Sequence, residues 1–209
     1  MSKNKHIPVY QMTLGALYIA LFGLSGNIPF LSAIHLIPGV PITLQTFLIA
    51  MMGMTLGLRG GLVSYMALLV LTFCGLPMMS GGRGGLAVIV SPTAGYVFGW
   101  VFIIVLLGLY SSLYMNKLIN KKALGMSIHL PVSFVIGMLG VLLDYACGTL
   151  GLIALGTDKS ISAFPAVFLS NISFIPGDAV KIGIASVLSL ALFAKPALRR
   201  ILNLNRIAA

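Results

Sequence analysis

The chain has 209 residues, of which 59% are hydrophobic and only 8% charged. Its mean hydropathy is +1.08, and soluble domains carry about 25% charged residues, so the composition excludes a soluble fold and requires a membrane. The net charge of +10 does not point to nucleic acid, because the basic residues sit in short loops between apolar runs and not on a polar face with aromatic partners.

The chain divides into six apolar stretches, each near the roughly 20 residues needed to cross a bilayer as a helix. They are predicted near 10–31, 39–57, 60–77, 91–115, 129–154 and 177–196 and use the whole chain, 1–209, as a single six-helix membrane domain. The opening MSKNKHIP resembles a signal-peptide n-region, but the apolar run behind it is too long and has no small-residue cleavage site, so it is read as a retained first helix. Ala16 and Ala20 on that helix form A-x-x-x-A beside Gly15 and Gly23, a spacing that lets membrane helices approach closely. Pro41 is expected in the first turn of the second span, and Leu58-Arg59-Gly60-Gly61 in a tight reversal that makes spans two and three a hairpin. The loop Gly81-Gly82-Arg83-Gly84-Gly85 follows, and Pro92 is expected in the first turn of span four.

Span five carries Asp144 midway along GVLLDYACG, where a buried carboxylate needs a partner or a ligand; lining a site and packing helices remain equally open for it. The stretch from Asp158 to Pro176 is too broken to span and is read as a loop with a short re-entrant or surface helix. Pro176-Gly177 breaks the chain before span six, whose first turn holds Asp178 and, at i+3, Lys181; Pro196 closes it. Cys74 and Cys147 lie within apolar spans with neither a CxxC nor a zinc spacing, and are read as small core residues. No metal site and no cofactor is expected.

Basic residues are retained on the cytoplasmic side. With the N-terminus inside, Lys3, Lys5, Arg59, Lys117, Lys121, Lys122, Lys195, Arg199, Arg200 and Arg206 share that side, ten of the thirteen, which places both termini in the cytoplasm. Arg83, Asp178 and Lys181 then gather at the outer face, with Lys159 on the same side. Asp178 and Lys181 read either as a helix cap with a local ion pair or as ligand contacts; ionisable groups at membrane depth favour the second. Arg83 reads as a loop charge or as a guanidinium able to grip a carboxylate in bidentate fashion. Tyr96 and Tyr145 belong to an interfacial tyrosine belt or stack on a ligand ring, and Thr43 and Gln45 offer polar contacts at the start of span two.

Taken together, PITLQT, the GLP before GGRGG, the GLAV after it, PTxGY and the late PGDxxK resemble the BioY family, the biotin-binding S components of energy-coupling factor (ECF) transporters. The resemblance covers nearly the whole chain. It implies an all-α integral membrane protein with the six-helix ECF S-component fold, set in the bacterial cytoplasmic membrane. It also implies biotin as ligand, and as partners a scaffold membrane subunit and two ATPase subunits. By the same resemblance Asp178 and Lys181 contact biotin, the loop with Gly82, Arg83, Gly84 and Gly85 closes the pocket, and Ala16 and Ala20 dock on the scaffold subunit. An S component for another vitamin, or a stand-alone biotin transporter, is the alternative. An enzyme is not expected: His6, His35 and His129 lie at span edges, no HExxH or Ser-Lys constellation is present, and no phosphate-binding G-x-x-x-x-G-K-[ST] loop occurs.

Overall fold

The helices turn apolar side chains outward as well as inward. Val63, Met66 and Val70, Val135, Leu139 and Leu142, and Val180, Ile184 and Val187 are all exposed at helical spacing, while Ser64, Thr72, His129, Ser133, Thr149, Ser186 and Ser189 are buried. A surface of that kind is solvated by lipid, and polar groups retreat to the interior where they find partners. The computed structural model describes residues 9–27, 35–37, 40–41, 43–115, 123–156 and 161–194. Helices α1 (Val9–Asn27), α2 (Gln45–Phe73), α3 (Ala94–Tyr110), α4 (Ala123–Leu155), the short α5 (Phe164–Ser170) and α6 (Ile175–Ala194) account for most of it. Two short strands, β1 (His35–Ile37) and β2 (Val40–Pro41), pair antiparallel ahead of α2. Among the described residues, five helical stretches are long and apolar enough to cross a membrane, where the sequence predicts six spans.

The hairpin expected of spans two and three lies inside α2, with its reversal at Gly57 and not within Leu58–Gly61. Gly57 has φ 70° and ψ −173°, a region essentially restricted to glycine. A Cβ built on Gly61 would lie 3.5 Å from the Cα of Gly53 and from the carbonyl oxygen of Met52. Eight residues of uninterrupted helix span about 12 Å, so the arms 45–56 and 58–73 run side by side in opposite directions. The tip of the hairpin rests on the end of α3: Leu58 N–H donates to Ser112 Oγ at 3.1 Å, and Ser111 Oγ donates to the Met54 carbonyl at 2.6 Å.

Helices α3 and α4 meet backbone to backbone. Cβ atoms built on Gly95, Gly148 and Gly151 would lie 2.1 Å from the Cys147 carbonyl oxygen, 2.1 Å from the Tyr96 ring and 2.6 Å from the Gly95 nitrogen. The one on Gly99 would fall 2.4 Å from Asp144 Oδ1. Small residues on both helices remove the spacer that side chains impose, and dispersion across the contact replaces the hydrophobic drive that lipid cannot supply. Above this seam Trp100 packs edge-to-face on Phe22 of α1, with ring centroids 5.3 Å apart.

Several expected boundaries shift. The second helix starts at Gln45 and not at 39, because Pro41 is taken into β2. The third span ends at Phe73, where the chain turns at Gly75 (φ 103°), so Cys74 is an exposed cap and not a core residue, and Cys147 is half-buried. Pro92 precedes the Thr93 cap of α3 and lies outside the helix. Pro176 and Gly177 fall within the first turn of α6 and do not break the chain ahead of it, since helix start tolerates a residue lacking an N–H. The expected short helix between spans five and six is α5 with its flanking 3₁₀ turns. His129 is fully buried in α4, between Tyr110 and the Ser186 carbonyl oxygen. Lys159, Pro196, the termini and the 116–122 connection with its three lysines lie outside the described residues.

The seam gives a direct test. Gly95→Ala is expected to lose about 1–3 kcal/mol of stability through overpacking, whereas Gly183→Ala in α6, with nothing within 4 Å of the added Cβ, is expected to be neutral or slightly stabilising. Thermal denaturation of the detergent-solubilised variants separates the two.

Candidate functional site

Segments from five parts of the chain meet in one cavity at the end of the bundle opposite Gly57. Thr43, Gln45 and Thr46 come from the start of α2; Met79, Ser80 and Arg83 from the glycine-rich loop; Thr93, Tyr96, Val97 and Trp100 from the start of α3. Asp144 and Tyr145 enter from α4, Phe174 from the turn before α6, and Asp178 and Lys181 from the first two turns of α6. Residues more than 130 positions apart in sequence thus face one space.

The loop over the mouth is a tight, pinned structure. Met79 N–H donates to the Arg83 carbonyl at 2.9 Å and Gly82 N–H to the Met79 carbonyl at 3.0 Å, closing a turn in which Gly81 and Gly82 take φ of 75° and 69°. Gly85 N–H donates to the Thr72 carbonyl at 2.7 Å. Gly84 packs so close to Leu76 that a Cβ would lie 2.2 Å from its carbonyl oxygen. From α1, the Gly26 carbonyl accepts from Gly81 N–H at 3.0 Å and Asn27 Nδ2 donates to the Pro77 carbonyl at 2.6 Å; from α2, Gln45 Nε2 donates to the Met78 carbonyl at 3.1 Å. The expected site glycines Gly82, Gly84 and Gly85 therefore shape the loop and are not part of the cavity wall. Arg83 is: its Nε donates to the Ser80 carbonyl at 3.1 Å and its Nη1 to Thr93 Oγ1 at 3.3 Å, which leaves guanidinium N–H groups for an anion.

On the opposite chain segment, Asp178 is 6% exposed. Lys181 Nζ lies 2.9 Å from its Oδ1, and Tyr145 OH donates to its Oδ2 at 2.5 Å. The carboxylate also sits in the first turn of α6, where the helix N-terminus favours an anion. A buried ion pair is a weak source of stability, because desolvating both charges offsets their attraction; this one has a partner side chain on each carboxylate oxygen and lies on the cavity wall, which makes it a candidate for ligand contact. Tyr96 is held by Asn171, whose Oδ1 accepts from the Tyr96 hydroxyl at 2.6 Å while its Nδ2 donates to Thr149 Oγ1 at 3.1 Å.

Seven of the ten ligand residues expected from sequence, Thr43, Gln45, Arg83, Tyr96, Tyr145, Asp178 and Lys181, share the cavity. Sequence reasoning missed Thr46, Trp100, Thr93 and the orienting Asn171. Trp100 stands four residues from Tyr96, on the same helical face, and Asn171 is the one amide in an apolar stretch, FLSNISF; both were findable signals. Ala16 and Ala20 lie far from this cavity in role: they are exposed on α1, while Gly15 and Gly23 on the other face pack against Ser64 and Met78.

The fold and the cavity define a multi-pass helical membrane protein with a small-molecule site at one end of its bundle. The sequence model of the BioY family matches residues 1–197. The biotin transporter BioY of Rhizobium etli is 35% identical over 181 residues, 87% of this chain and 91% of the relative. That of Rhodobacter capsulatus is 32% identical over 185 residues, 86% and 90%. The crystal structure of the S-component for biotin from an ECF-type ABC transporter aligns with a TM-score of 0.74 at 30% identity, covering 93% of this chain and 95% of that one. The chain belongs to the BioY family, a family of transporter S components and not of enzymes.

Removing the Tyr145 hydroxyl tests the geometry around Asp178. Tyr145→Phe is expected to lose about 1.5–3 kcal/mol, the usual worth of a hydrogen bond to a charged group, read as a lowered thermal midpoint without change in helix content.

Proposed function

We propose that this chain is the biotin-capturing S component of an ECF transporter in a bacterial cytoplasmic membrane. The observation that carries the reading is the single cavity in which the Asp178–Lys181 pair, Arg83 and an aromatic wall meet, in a chain of the BioY family. Biotin presents a ureido ring with two N–H donors and one carbonyl acceptor, an apolar thiophane ring, and a valerate carboxylate. Asp178 accepts from a ureido N–H and Lys181 donates to the ureido carbonyl. Trp100, Tyr96 and Phe174 flank the thiophane ring, Thr43 and Gln45 add polar contacts, and Arg83 grips the carboxylate near the mouth. The glycine-shaped loop covers the bound vitamin.

With the two arms of α2 counted separately the bundle has six spans and both termini lie in the cytoplasm, so the cavity faces outward and Arg59 at the hairpin tip faces in. The exposed Ala16 and Ala20 form the contact for a scaffold membrane subunit, whose two ATPase subunits supply the energy for inward release. The exposure of that small-residue face, with Gly15 and Gly23 occupied inside the bundle, supports this assignment.

Calorimetric titration of the purified protein is expected to give one-to-one binding of biotin and none of thiamine or riboflavin. Asp178→Asn and Lys181→Ala are each expected to lower biotin affinity by about 30-fold or more, the equivalent of breaking a buried hydrogen-bonded charge pair; unchanged affinity in both would overturn the site assignment. A double substitution, Ala16→Trp with Ala20→Trp, is expected to keep biotin binding and abolish co-purification of the scaffold subunit.

A further inference from the structure

Among the described residues, two buried side-chain polar atoms have no hydrogen-bond partner: Ser80 Oγ and Asp144 Oδ1. Both residues line the cavity. Buried polar groups are almost always satisfied, and an orphan leaves its desolvation uncompensated. That both orphans fall on one cavity is a pattern that a ligand resolves and helix packing does not.

Asp144 is the more informative of the two. It is 4% exposed and owes its position to the α3–α4 seam, since any side chain at Gly99 would displace Oδ1. Three tyrosines are within electrostatic reach of its carboxyl, Tyr65, Tyr96 and Tyr145, and each would be a natural donor. None donates to it. The Tyr65 hydroxyl is given to the Val97 carbonyl, that of Tyr96 to Asn171, and that of Tyr145 to Asp178. The neighbouring tyrosine hydroxyls are thus committed elsewhere, and a carboxyl on a cavity-lining residue is left with an oxygen that no protein donor meets, beside a cavity whose proposed ligand brings donors.

We propose that Asp144 is a further ligand-binding residue, whose carboxyl accepts a hydrogen bond from one ureido N–H of biotin. The inference rests on the reading of the cavity as a biotin site and deepens it. A cyclic urea carries two N–H groups, and Asp178 already meets Lys181 and Tyr145 on its two oxygens. Asp178 takes one ureido N–H on a remaining lone pair and Asp144 takes the other, so the two carboxyls from α4 and α6 bracket the ring and read both nitrogens. Specificity follows: an analogue that lacks a donor at the Asp144 side leaves that carboxyl buried and unpaired, which is how a hydrogen-bonding site rejects near-isosteres.

The test is a cycle between protein and ligand. Wild type and Asp144→Ala are titrated with biotin and with biotin methylated at one or the other ureido nitrogen. Asp144→Ala is expected to weaken biotin binding by about 10- to 100-fold, the cost of leaving one ureido N–H buried without an acceptor. It is also expected to abolish most of the penalty for methylating one nitrogen while leaving that for the other intact. Its thermal midpoint without ligand is expected to stay the same or rise, because no protein hydrogen bond is lost; a packing role would lower it. Biotin affinity within about twofold of wild type, or methylation penalties unchanged at both nitrogens, would overturn the proposal. If the alanine variant does not fold, Asp144→Val, which fills the space and offers no acceptor, is expected to lose at least about fivefold, and an unchanged affinity overturns the proposal. Wild-type protein that binds no biotin would instead overturn the reading of the cavity itself, and a wild type that binds while both variants bind equally well would overturn only the role of Asp144.

Discussion

The contact between α3 and α4 sets the geometry of everything above it. In lipid, two apolar helices gain nothing by hiding from solvent, so what holds them is the closeness of the approach. Gly95 and Gly99 on one helix and Gly148 and Gly151 on the other bring the backbones together. That contact fixes the rotation of both helices about their axes. Tyr96 and Trp100 on α3, and Asp144 and Tyr145 on α4, are thereby turned to the same space. A single larger residue in the seam would spread the two walls of the cavity as well as weaken the bundle.

The second constraint is electrical. Asp178 and Lys181 enter apolar surroundings as a pair on one helix face, with Tyr145 completing the shell of the carboxylate. The charges cancel locally, so the interior carries a strong dipole at small net charge, and a neutral polar ring can dock beside it without stripping either ion of its partner. Arg83, nearer the loop, has no carboxylate partner among the hydrogen bonds it makes to Ser80 and Thr93. The division suits a ligand that is neutral at one end and anionic at the other.

Much of this was legible before any coordinates. Span length and hydropathy point to an all-helical membrane protein, and the glycines around Arg59 announce a hairpin, because bilayer thickness and backbone sterics act locally. The convergence of Arg83, Asp178 and Lys181 followed from counting crossings. Local pattern failed where the deciding contact is distant. Pro41 looks like a helix start until β1 pairs with its segment, and the reversal sits at Gly57 because Ser112 and Gly108 receive the turn there. The seam partners of Gly95 lie more than 50 residues away, and the orphaned state of Asp144 depends on where three tyrosine hydroxyls point. Gly95 and Gly99 stand four residues apart in the sequence, but nothing there names the helix they meet.

The origin of the cavity wall in segments running from Thr43 to Lys181 has a consequence for biosynthesis. Among the described helices α6 is the last to leave the ribosome, and it carries both members of the ion pair. Until it joins the bundle, the Tyr145 hydroxyl lacks its acceptor and the cavity lacks a wall, so earlier helices can pack along their glycine seam while the recognition chemistry is still absent. When α6 arrives, Asp178 and Lys181 reach the bilayer already neutralised by each other, and the Tyr145 hydroxyl latches the helix in register. The cavity is therefore completed only when α6 joins the bundle, and a chain cut short ahead of α6 would lack the wall that Asp178 and Lys181 supply.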